Sequence, residues 1–132
     1  MSSQTVISNQ PLEHKIILIR KHKVMIDRDI AALFGVPTKA LNQAVRRNQD
    51  RFPSDFMFRL TKQEKDEVVT NCDHLKALKF SPVLPHAFTE HGVLMAANVL
   101  NSPKAIAASI WIVRVFIQMR AYVTIKRRLS CD

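Results

Sequence analysis

Hydrophobic and polar positions change period several times along the chain, and each change marks an element. Residues 1–11 are polar and read as a flexible lead-in. Residues 15–20 (KIILIR) and 24–26 are short β-prone runs around Lys21-His22-Lys23, the pattern of a hairpin with a basic turn. Asp27 is placed to cap a helix running to Phe34, and Gly35 breaks it. After Pro37, Thr38 restarts a helix as its cap, with Leu41, Ala44, Val45 and Asn48 on one side. Asp50-Arg51-Phe52-Pro53 ends that helix. Residues 56–60 (FMFRL) alternate as a strand does, and Thr61 with Glu64 forms a capping box for a short helix to Val69. Residues 71–82 carry the weakest pattern, residues 83–88 suit another short strand, and residues 89–99 read as a helix. Ser102 then caps, and Pro103 opens, a long helix predicted to reach at least Tyr122. The predicted class is α+β: a small domain containing a helix-turn-helix, short β-hairpin strands and a long C-terminal helix.

With 132 residues, 47% of them hydrophobic, the chain can bury one real core. The boundaries expected are a lead-in at 1–11, a domain at 12–123 and a basic tail at 124–132. Only two glycines occur, which disfavours a glycine-rich phosphate loop. Cys72 and Cys131 are too few and too far apart for a metal framework or a disulfide scaffold. No signal peptide opens the chain, and its longest apolar stretch, residues 105–113, is too short to span a bilayer. A reduced, cytoplasmic protein is expected.

Charge narrows the partner. The formal net charge is +9, with a pI of about 10.1, which points to an anionic partner. The alternative, mere solubility, fits less well because the charge is uneven. Ten Lys/Arg face four Asp/Glu over residues 14–60, the signs cancel over 61–113, and five bases face one acid from 114 onward.

The first basic region holds a candidate constellation. A helix-turn-helix needs a small residue where its helices cross, a glycine at the turn, and apolar residues holding the second helix against the first. Ile30 and Phe34, Ala31, Gly35, Val36, and then Leu41 and Ala44 fill those positions. Lys39, Asn42, Gln43 and Arg46 are spaced i, i+3, i+4, i+7, so they line one stripe of the second helix, with Arg47 beside it. Arginine reads guanine, Asn and Gln read adenine, and lysine suits a phosphate. An ordinary solvated face usually mixes Glu with Lys; this stripe has no acid. Arg51, and Lys21 and Lys23 in the hairpin, are expected on the DNA backbone. Arg59 is placed either on a phosphate or on Asp55. Asp27 and Asp29 are read as helix-dipole partners only.

Taken together, VMIDRDIAALF at 24–34, LNQAVRRN at 41–48, RFPSDFMF at 51–58 and P-x-AFTE-x-G at 85–92 resemble the ORF-six N-terminal domain family, related to the KilA-N group. The likeness extends over residues 12–122. It implies a small α+β fold, a DNA-binding role and a phage, prophage or bacterial setting. The chain departs from the family at residues 78–84 (LKFSPVL), where members often carry a Gly/Arg-rich segment.

Other chemistry has less support. His86, Glu90 and His91 miss the inverted zinc-protease spacing by one residue. Cys72 with His74 lacks two further ligands. No nucleophile–base set appears, so no catalytic residue, metal, cofactor or small-molecule substrate is expected. Trp111, Val115, Phe116 and Met119, with Ile112 beside them, form an apolar stripe on the last helix. It suits core packing, with a homodimer interface as the alternative. The partner expected is double-stranded DNA, with no membrane. The competing function is a protein-interaction module of antirepressor type acting through the last helix.

Overall fold

The computed structural model describes residues 12–120. The lead-in, Tyr122 and the basic residues Lys126-Arg127-Arg128 lie outside the described residues. In chain order the elements are β1 (Ile17–Ile19), β2 (His22–Ile26), α1 (Asp27–Phe34), α2 (Thr38–Arg47), β3 (Met57–Arg59), α3 (Lys62–Asn71), β4 (His86–Phe88), α4 (Glu90–Leu100) and α5 (Pro103–Met119). Short 3-10 turns occupy Gln49–Arg51 and Asp73–Phe80. The mixed helix-and-strand class expected from the sequence is the one observed.

The four strands form one antiparallel sheet in the order β1-β2-β4-β3. Strand side chains alternate between faces, and here both faces are covered. Met25 and Phe88 join Leu12, Ile16, Ile30, Phe34, Leu41, Val93, Ile112 and Phe116 in one core. Their neighbours Val24, Ile26 and Ala87 join Ile17, Phe58, Leu60, Val68, Cys72 and Leu75 in a second. The sheet is therefore a middle layer: α1, α2, α4 and α5 cover one face, and α3 with Asp73–Phe80 covers the other.

Three local expectations are corrected. The hairpin turn is Arg20-Lys21, one residue earlier than expected, with His22 and Lys23 already in β2. Both turn residues have positive φ, 55° and 68°, as a two-residue type I′ turn needs. For non-glycine residues this costs about 1 kcal/mol or more each. Arg20 offsets it by bonding Glu64 at 2.8 and 3.0 Å while lying 4.2 Å over the Phe58 ring. That bond holds the Glu64 carboxyl below its ordinary pKa. Second, residues 71–82 are not patternless. Cys72, Leu75 and Leu78 recur every third residue, and a 3-10 turn places them all against the second core. Cys72 is fully buried and disulfide-bonded, against the expectation of reduced cysteines; Cys131 lies outside the described residues.

The third correction concerns helix starts. Thr61, Thr89 and Ser102 cap as side chains should, through the amides of Glu64, Gly92 and Ala105. Asp27 and Thr38 do not: Ile26 and Pro37 hold the cap positions, with no side-chain cap bond. Asp27 is instead a buried crosslink, 4% exposed. Its Oδ2 accepts from Asn42 Nδ2 at 3.1 Å and from the His86 amide at 3.2 Å, with His86 Nδ1 at 3.6 Å. One carboxylate thus ties α1 to α2 and to β4. Asp29, also buried, meets His74 Nε2 at 3.0 Å.

The AFTE-x-G segment has a packing reason. The Thr89 amide donates to the Phe56 carbonyl at 3.0 Å, and Thr89 Oγ1 donates to Asp55 O at 2.8 Å. This draws the 55–56 backbone onto the first turn of α4, where a Cβ on Gly92 would collide with the Phe56 carbonyl oxygen. Gly92→Ala is therefore expected to cost about 3 kcal/mol in urea unfolding, at the upper end for overpacking; a loss near zero would mean the two segments do not touch. Asn42→Ala removes a hydrogen bond to a buried carboxylate and should cost about 1.5–3 kcal/mol. An unchanged urea midpoint would show that the Asp27 crosslink is not formed in solution.

Candidate nucleic-acid interface

The site is the two-helix unit made by α1 and α2. Helix α1 ends in a Schellman motif: the Gly35 amide donates to Ala32 O at 3.2 Å and the Val36 amide to Ala31 O at 3.0 Å. This requires Gly35 in the left-handed region, where it has φ 76°. Pro37, with φ −65° and ψ 148°, then turns the chain into α2, and its carbonyl accepts from Ala40 and Leu41 at 3.0 and 3.1 Å. Ile30, Ala31 and Phe34 of α1 and Leu41 and Val45 of α2 are all buried in the first core.

Leu41 and Val45 set the rotation of α2. With 3.6 residues per turn, Lys39, Gln43 and Arg46 point away from the axis of those two anchors. Asn42 lies on the flank, roughly a quarter turn off the core direction, and Arg47 joins the outward-pointing three. Lys39, Gln43, Arg46 and Arg47 are exposed. Asn42 is half-buried, with its amide committed to Asp27 and its Oδ1 buried without a hydrogen bond. Of the predicted stripe, Lys39, Gln43 and Arg46 are therefore brought together with the neighbouring Arg47, while Asn42 serves as the tie to α1. Among the described residues, Lys39, Arg46 and Arg47 form no ion pair.

The remaining predicted contacts divide. Lys21 is exposed at the hairpin tip. Lys23 points back into the protein; its Nζ is buried without a hydrogen bond. Burial pushes its pKa down, and nearby Arg120 adds to this while Glu90 opposes it. Arg51 is exposed but donates to Asn98 Oδ1 of α4 at 2.9 Å. Arg59 is exposed on β3 and does not pair with Asp55. Sequence reasoning missed Lys15 and Arg28, which stand beside the start of α2. Arg28 was legible as the solvent-facing neighbour of Asp27; Lys15 lay in a presumed strand and gave no signal.

His86, Glu90 and His91 do not converge. His86 faces Asp27, Glu90 bonds Arg120, and His91 stacks on Phe56 with ring centroids 5.5 Å apart. Among the described residues no three His, Cys, Asp or Glu side chains gather as a metal site, and no helix is long and apolar enough to cross a membrane. The apolar stripe on α5 resolves into core: Ile112, Val115 and Phe116 are buried, with Trp111 and Met119 packed against the same cluster.

No curated protein and no solved structure is matched. The family model for the ORF6N domain matches residues 14–99. That span runs from the lead into β1 to the end of α4, so it holds the whole sheet and the two-helix unit. The chain belongs to the ORF6N domain family.

Proposed function

We propose that this chain is the DNA-binding domain of a phage- or prophage-type regulatory protein, acting in the cytoplasm and reading the major groove with α2. One observation carries the reading: the outer face of α2 presents Lys39, Gln43, Arg46 and Arg47 with no acid and, among the described residues, no ion pair. A surface helix with four such residues unspent is suited to phosphates and base edges. Asn42 leaves the list of base-reading candidates, and Lys23 leaves the list of phosphate contacts. Arg51 can serve only by exchanging Asn98 for DNA. The reading assigns no catalytic step, metal or cofactor.

A second reading has its own observation. Ile106, Ile110 and Ile117 are exposed at 43%, 47% and 48%, on the side of α5 opposite its buried residues. They lie close to one line along the helix. A homodimer or an antirepressor-type contact through α5 would use this outer line, and not the Trp111–Met119 stripe.

Binding-site selection followed by fluorescence anisotropy tests the first reading. Affinity for duplex DNA should fall steeply with salt. Arg46→Ala should cost about 1–3 kcal/mol and relax the selected preference if Arg46 reads a base. Equal loss on selected and random duplexes would make Arg46 a phosphate contact. No loss on either would remove α2 from the interface.

A further inference from the structure

A cleft of about 420 Å³ opens where the start of α2 meets α1, the lead into β1 and the Asp73–Phe80 turn. Its polar walls are Lys15, Arg28, Asp29, Thr38 and His74. Lys15 and Arg28 form no ion pair among the described residues. Asp29 is the one carboxylate in the lining; its side chain is 8% exposed and its Oδ2 is held by His74 Nε2. The carboxylate is thus nearly buried and engaged, while two cations remain unspent.

We infer that this cleft seats a backbone phosphate of bound duplex DNA, with Lys15 and Arg28 as its cationic walls. The inference rests on the DNA-binding reading and adds to it a second contact, displaced from the base-reading face of α2. An arginine fork can grip two phosphate oxygens, and lysine adds a point charge. Contacts of this kind fix register on the duplex and carry no sequence information. The cleft adjoins Thr38, so a phosphate there would sit beside Lys39 at the entry of α2 into the groove.

The test compares the wild-type chain with Lys15→Gln/Arg28→Gln on random and selected duplexes over a salt series. Arg28→Gln alone is included, because Arg28 is exposed and its loss leaves the fold intact. The double variant should flatten the slope of log affinity against log salt by about 0.9, one phosphate's worth. Its affinity should drop by a similar factor on both duplexes, with the selected sequence preference unchanged. Lys62→Gln/Arg114→Gln removes the same charge elsewhere and should stay near wild type. An equal loss in that control would reduce the effect to net charge and overturn the cleft. A wild-type slope in both cleft variants would overturn it too, leaving DNA binding by α2 standing. Wild-type chain that binds no duplex would overturn both readings. Inorganic phosphate, titrated by NMR, separates the sources: shifts at Lys15 and Arg28 with an unaltered DNA slope would make the cleft a free-anion site and overturn the assignment to DNA.

Discussion

A buried carboxylate cannot stand alone. Its desolvation must be met by hydrogen bonds or by opposite charge, and removing one partner from such a group typically costs several kcal/mol. Asp27 meets this demand from two segments far away in sequence, Asn42 of α2 and His86 of β4. The consequence reaches the whole two-helix unit. Leu41 and Val45 press α2 against the core, but apolar contacts tolerate sliding and rotation. The directional bond from Asn42 fixes the rotation, and through it the set of side chains that α2 offers to solvent.

That division explains how the protein sorts its positive charge. Arg20 is spent on the strained hairpin turn through Glu64, Arg120 on Glu90, and Arg51 on Asn98. Lys65 is buried and donates to the Ser81 carbonyl. Among the described residues, the bases without an ion pair on α1 and α2 are Arg28, Lys39, Arg46 and Arg47, and these surround the segment whose geometry Asp27 fixes. A net charge of +9 is therefore a mixture of structural cations and available ones, and position in the fold separates the two.

Much of this was legible in the sequence where the cause was local. The capping box at Thr61, the Ser102-Pro103 start and the Gly35 stop each depend on neighbours within a few residues, and each forms as expected. The failures share a long-range cause. Asp27 looks like a cap because its better partners lie 15 and 59 residues away. Asn42 looks like a member of the outer stripe because helical spacing places it at the boundary; only its partner shows which way it turns. Arg20-Lys21 is a poor turn on propensity, and it is rescued by a carboxylate 44 residues further on. The 3-10 turn was overlooked because its apolar residues repeat every third position, a period that neither helix nor strand templates seek. The family match follows the same logic: the matched span, residues 14–99, contains Asp27, Asn42 and His86, and with them the crosslinked frame.

The central claim is that this frame holds α2 with its acid-free face outward for duplex DNA. Titration of labelled protein with a duplex, followed residue by residue by NMR, tests it most directly. Binding through this face predicts the largest shift changes at Lys39, Gln43, Arg46 and Arg47, with the Asn42 side-chain amide still bonded to Asp27. Perturbations centred on α5 or on the Asp73–Phe80 turn, with α2 silent, would contradict it.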